Sequence, residues 1–253
     1  MTVVRPLVLA LAACSVPDID YTGKQCPCPA GYACDDSTHT CVRGALAPDG
    51  AAAPDGPNGD GAQEASCLPS PLTTLHYSTA TFADFSPMWS STGGIWQTAG
   101  AELQETSTVS QLAVAYHADP AITYADARVV GTMHAISAGP GDAIELALRV
   151  DAMNVHMYHC NWEPADGGFL IQRTDNVNTT PVIQMTTLAI TGRSVDDPVI
   201  MEFQVSGDVF TCCLHGIPGA MLTGTDGTYT DGSIGVKTYE ASAGFSNFQG
   251  YIP

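Results

Sequence analysis

Residues 143–162 read AIELALRVDAMNVHMYHCNW. From Ala143 to Val150 the side chains alternate, with Ile144, Leu146 and Leu148 on one side and Glu145 and Arg149 on the other. A period of two marks a strand with one face turned to a core, because successive Cβ atoms point to opposite faces of a sheet. Val155–Cys160 predicts a second strand, in which His156 and Tyr158 share a side. These twenty residues carry no run at helical spacing, and they set the reading of everything around them.

Outward from this pair the same signals recur between Cys67 and Pro253. Strands are predicted at Ile95–Ala99, Ala101–Thr106, Gln111–His117, Ala127–Ser137, Phe169–Arg173, Thr186–Thr191, Val199–Val205, Val209–His215, Ser233–Tyr239 and Phe245–Tyr251. Turn residues separate them: Gly93-Gly94, Gly139-Pro140-Gly141, Asp166-Gly167-Gly168, Ser206-Gly207-Asp208 and Thr225-Asp226-Gly227. About a dozen short strands with no capped amphipathic helix predict an all-β fold, a two-sheet antiparallel sandwich of jelly-roll type.

The 253 residues include 8 Lys and Arg against 26 Asp and Glu, a formal net charge of −18. Such a chain has no basic surface with which to neutralise a row of phosphates, so a nucleic-acid partner is excluded. Electrostatic docking on anionic lipid is excluded for the same reason.

The amino-terminal stretch MTVVRPLVLALAAC places Arg5 before a short apolar run, Leu7 to Ala13. That run is far below the roughly 20 apolar residues that a spanning helix needs, so residues 1–13 read as a signal peptide. Leu11-Ala12-Ala13-Cys14 resembles the bacterial lipobox. In that family the cysteine carries a thioether-linked diacylglyceryl group, and multiple acyl chains give stable anchoring. The resemblance implies an exported lipoprotein held to a membrane through Cys14, and the Ser after it fits an outer-membrane destination.

Residues 14–43 hold Cys26, Cys28, Cys34 and Cys41 among prolines and glycines, a small loop-rich module. Export to an oxidising compartment favours two disulfides over a zinc site. Two pairings are open: 26–34 with 28–41, or 26–41 with 28–34. Residues 44–66, GALAPDGAAAPDGPNGDGAQEAS, contain no aromatic or β-branched residue. Such a segment cannot bury enough apolar surface to offset chain entropy, and reads as a flexible linker before a domain at 67–253.

Three segments of that domain resemble concanavalin A-like lectin/glucanase sandwiches, laminin-G-like domains included. They are FADFSPMWSSTGGIWQTAGAELQET (82–106), the strand pair at 143–162, and TDGTYTDGSIGVKTYEASAGFSNFQGYIP (225–253). The likeness, which covers most of residues 72–253, implies a jelly-roll sandwich and either glycan binding or glycan cleavage. Many members carry calcium; by resemblance alone, Asp226 and Asp231 are the acids that would hold it.

Retaining glucanases need two carboxylates about 5–5.5 Å apart, and in this superfamily they alternate along one strand as Glu-x-Asp-x-x-Glu or similar. No such run exists here, so a noncatalytic domain is expected, the alternative being an unusual pair such as Glu145 with Glu202. His156 and His159 point to opposite faces of a strand and cannot chelate one ion. Arg128, His134, Glu145, Arg149, His156 and Tyr158 are therefore the candidate glycan-binding residues, if their polar sides line one sheet face. The competing reading makes them an ordinary solvated face with Arg149 paired to Glu145, in a structural or protein-interaction lipoprotein. Adjacent Cys212 and Cys213 point to opposite faces; one is expected to pair with Cys160 and the other with Cys67.

Overall fold

The computed structural model describes residues 32–35, 40–43 and 66–253, apart from positions 83, 84, 109, 111, 118–122, 152, 154, 177 and 191. The expected signal peptide, Cys14, Cys26, Cys28 and the linker up to residue 65 lie outside the described residues. The chain divides into two compact units, residues 1–62 and 63–253. In the first, β1 (Tyr32–Asp35) and β2 (Thr40–Arg43) form an antiparallel hairpin with Cys34 opposite Cys41.

The second unit is built from β3 (Thr74–Thr79), the single turn α1 (Phe85–Met88), β4 (Trp89–Thr92), β5 (Trp96–Ala99), β6 (Glu102–Glu105), β7 (Ala113–His117) and β8 (Ala127–Ser137). It continues with β9 (Ala143–Asp151), β10 (His156–Glu163), β11 (Gly168–Asp175), β12 (Asn178–Thr187), β13 (Val199–Ser206), β14 (Val209–Leu214), β15 (Met221–Thr225), β16 (Ser233–Tyr239) and β17 (Ser242–Ile252). Two antiparallel sheets result, ordered β12-β11-β10-β9-β16-β7-β4 and β15-β14-β13-β8-β17-β6-β5, with β3 on β17. The all-β sandwich expected from the alternation is the fold. No helix among the described residues is long and apolar enough to cross a membrane.

The core lies between the sheets, where the apolar sides of the strands meet. Ile144, Leu146 and Leu148 of β9 face it with Tyr158, Cys160 and Trp162 of β10; Val129 and Met133 of β8 and Met201, Phe203 and Val205 of β13 close it from the other sheet. A disulfide between Cys160 and Cys212 joins β10 to β14 through this core. Trp162 is buried within it.

The alternation misled in two places. A strand was expected at Thr186–Thr191, whereas β12 runs Asn178–Thr187 straight through Pro181. Proline is tolerated there because β12 is an edge strand, where a missing N–H breaks no ladder. The short polar strands β3, β4 and β15 also escaped, since none has an apolar alternation long enough to read.

Candidate functional site

The six candidate residues do not form one groove. Arg128 and His134 stand on the outer face of the eight-stranded sheet, whereas Glu145, Arg149, His156 and Tyr158 belong to the other sheet. Arg128 is buried, its Nε 2.9 Å from Glu202 Oε2 and its Nη1 donating to the Leu72 carbonyl. Glu202 also accepts from the Ser66 hydroxyl and the Cys67 N–H, and Leu72 N–H donates to Gln204. Segment 66–72 is thus strapped over these side chains, and a disulfide from Cys67 to Cys213 fixes it covalently. Arg128 is therefore no part of an open glycan surface. His134 is half-buried beside Glu102, 3.2 Å away.

Tyr158 is a correction of a different kind. Its ring is wholly buried against Phe210, 4.1 Å between centroids, because the side of β10 that it shares with His156, both rings meeting Tyr229, is the core side and not an outward one. The neighbouring strand β9 carries a bulge. Asp151 pairs with His156 but Leu148 with Tyr158, and on the other flank Val150 pairs with Ser233 but Ala147 with Gly235. The extra residue on β9 sits at Arg149, whose φ is +51°. A bulge breaks the period of two, so Glu145 and Arg149 part company.

Glu145 keeps its place on the outer face of the seven-stranded sheet, fully buried, and pairs not with Arg149 but with Lys237 Nζ at 2.8 Å from both carboxylate oxygens. Nδ1 of His159 touches the same carboxylate, and its Nε2 lies 2.9 Å from Thr174 Oγ1. Burial would raise the Glu145 pKa, but His159 and Lys237 outweigh it and hold the group at about 2. Burial lowers the pKa of His159, so Lys237 supplies the standing positive charge beside Glu145. Asn161 Nδ2 reaches Glu145 at 3.4 Å, while its Oδ1 has no hydrogen-bond partner. At the far end of β10, burial and then the neighbouring Asp166 charge raise the Glu163 pKa to about 7.

Arg149 is freed by the bulge to knit the end of the sandwich. Its Nε and Nη2 donate to Ala125 O, Nη2 also to Gly207 O at 2.6 Å, and Nη1 to Tyr229 O at 2.6 Å. Three loops are tied by one buried guanidinium. Beside it, Arg173 Nη1 donates to Asp226 Oδ2 at 2.5 Å and to Thr228 Oγ1 at 2.7 Å. The Tyr158 hydroxyl donates to Asp226 Oδ1 at 2.8 Å and accepts from Tyr229 N–H, and the Tyr229 hydroxyl donates to Asp175. Asp226, Thr228 and Tyr229 of loop 226–232 are thereby tied to β10 and β11.

A cavity of about 190 Å³ opens at this end, lined by Arg149, Asp151, His156, Thr228, Tyr229, Thr230 and Asp231. The His156 imidazole stacks on Tyr229, centroids 4.5 Å apart and planes 11° from parallel. An adjoining hollow of about 300 Å³ shares Asp151 and Asp231 and adds Tyr116 and Met153. Three residues singled out in the sequence, Arg149 and His156 as glycan-binding candidates and Asp231 as a calcium acid, meet here. Asp151, Tyr229 and the two threonines were missed, since nothing in the sequence brings loop 226–232 to the β9–β10 turn.

Asp226 and Asp231 do not fit a shared calcium site. The Asp226 carboxylate is engaged by Arg173, Tyr158 and the Thr228 N–H, leaving it as a salt-bridge partner instead of a metal ligand. Asp231 lines the cavity apart from it. The one triad of potential ligands among the described residues, Cys67, Glu202 and Cys213, has both sulfurs in a disulfide.

The second unit is a two-sheet antiparallel β-sandwich of jelly-roll type. The same fold is found in a carbohydrate-binding module, CBM66, from Bacillus subtilis (TM-score 0.55, 16% identity, 65% of this chain and 96% of that one). It recurs in the exoplasmic/lumenal domain of VIP36 in a Ca2+/Man3GlcNAc-bound form (0.53, 10% identity, 71% and 90%) and in the Bacillus licheniformis β-glucanase (0.50, 10% identity, 70% and 98%). No protein-family model and no curated protein sequence matches the chain. At these identities the likeness is one of fold, which hosts binding modules and enzymes alike.

Proposed function

We propose that this chain is an exported lipoprotein, anchored in the outer membrane through Cys14, whose sandwich binds a glycan without cleaving it. The observation that carries the binding reading is the cavity at the end of the sandwich. It offers a stacked imidazole–phenol pair, two carboxylates and two threonine hydroxyls on a loop held in place before any ligand arrives. Aromatic surface packs against the C–H face of a sugar ring, and carboxylates and hydroxyls accept and donate to its hydroxyls. Preorganisation lowers the ordering cost of binding. Fold relatives that are described as a carbohydrate-binding module and as an oligosaccharide-bound lumenal domain support the same reading.

The noncatalytic reading is supported by the state of Glu145. Held between Lys237 and His159, it has neither the room of a nucleophile nor the raised pKa of a general acid. Glu202, the other member of the unusual pair considered, lies on the opposite sheet under Arg128 and the 66–72 strap.

Two experiments test the proposal. His156→Ala should weaken binding on a glycan panel at least about tenfold, equivalent to roughly 1.4 kcal/mol, without lowering thermal stability by more than a few degrees. Equal binding by the variant would remove the cavity from consideration. For the anchor, Cys14→Ala should abolish labelling by radioactive palmitate and move the protein from the membrane to the soluble fraction; unchanged labelling would refute it.

A further inference from the structure

Resting on the glycan-binding reading, we infer that the end cavity takes uncharged sugars and turns away polyanionic ones, whether uronate, sulfated or phosphorylated. Residues 67–253 contain five cationic side chains against 18 acids. Every one of the five is engaged within the fold. Arg128 and Lys237 are buried in ion pairs with Glu202 and Glu145. Arg173 bonds Asp175 and Asp226. Arg193 donates to the Pro198 carbonyl, on a loop that does not line the cavity. Arg149 does border the cavity, but four donor contacts commit its guanidinium to three main-chain carbonyls.

Recognition of a carboxylate, sulfate or phosphate depends on a guanidinium or ammonium free to form charge-assisted bonds, usually as a fork. Turning Arg149 to a ligand would release carbonyls of three loops at once and dismantle the cavity. Asp151 and Asp231 meanwhile present negative charge at the mouth of both adjoining hollows. An anionic chain would pay for desolvation and repulsion with no compensating cation, whereas neutral hydroxyls find acceptors and an aromatic stack. The field of a domain with this excess of acid acts in the same direction at long range.

The test uses the full chain on an array of neutral polysaccharides (β-glucan, mannan, xylan) and polyanions (polygalacturonate, alginate, heparin). It is run at pH 8, where an ordinary imidazole is neutral, with NaCl varied from about 20 to about 500 mM. Saturable binding to a neutral glycan should change less than about twofold across that range, with polyanions at least about tenfold weaker, roughly 1.4 kcal/mol. A polyanion bound as tightly as any neutral glycan would overturn the inference while leaving glycan binding standing. No binding to any member would remove the glycan reading itself, and the specificity with it.

Discussion

Cys212 and Cys213 are neighbours in β14, yet each completes a different disulfide, Cys212 with Cys160 through the core and Cys213 with Cys67 on the outer side. Side chains of adjacent strand residues point to opposite faces, so one peptide bond connects two bridges that lie on opposite sides of a sheet. The result is a continuous covalent path from the residue that follows the linker, through β14, into β10 of the other sheet.

The two bridges should part under graded reduction. Cys67 is half-buried and Cys213 lies beside an apolar hollow, whereas Cys160 and Cys212 are wholly enclosed. Increasing dithiothreitol, followed by alkylation and mass spectrometry, should find 67–213 opened first with the fold intact. Replacing Cys160 and Cys212 by Ala should cost about 4 kcal/mol by loop-closure entropy. Simultaneous opening of both would show that the strap and the core unfold as one.

Arg128→Ala should destabilise by about 3–5 kcal/mol, since it leaves Glu202 buried with its principal cation gone. Chemical denaturation would measure this. Arg193→Ala, on an exposed loop contact, should change stability by less than about 0.5 kcal/mol. Comparable losses from the two would mean that the 66–72 strap does not shield Glu202 from water.

Stability should depend on pH through two carboxylates with opposite signs. The Glu163 pKa is raised to about 7, so its contribution is fully present below the ordinary value of 4.5 and is lost as pH rises through 7. The Glu145 pKa is lowered to about 2, so its contribution is present above 4.5 and is lost as pH falls toward 2. A maximum in melting temperature near pH 4.5–5 is expected from these two groups, with Glu163→Gln flattening the fall on the neutral side. Retention of that fall in Glu163→Gln would place its origin in other groups.

Gly232→Ala should damage the cavity while sparing the core. A Cβ at Gly232 would lie 2.4 Å from the Arg149 carbonyl carbon, and its φ is +154°. The bulge and the loop must separate to admit it, which moves Tyr229 and Asp231. Glycan affinity should fall with little change in far-ultraviolet circular dichroism, and an unaltered affinity would mean that the loop position is unimportant to binding.

The alternation of β8 and β16 was legible residue for residue, because both strands turn one apolar face to the core and one face away, and their sequences record that division. So were Ile144, Leu146 and Leu148 as core, and the destinations of Cys160 and Cys67 as the two cysteines of one strand pointing apart. What failed on β9 was the pairing of Glu145 with Arg149, which carried the period of two across the bulge. A bulge inserts one residue without changing composition, so it is silent in the pattern and decisive in space.

The sequence by itself determined that this domain is an all-β sandwich and which faces of its longest strands are apolar. Those properties are local, set by side-chain period. Only the tertiary structure decided that Lys237, not Arg149, neutralises Glu145, that Arg128 lies under a strap, and that His156 stacks on Tyr229. Each of these partners is separated in the chain by 56 residues or more, as Arg128 and Leu72 are, and long-range pairing is fixed by sheet order and register, which no short window of residues contains.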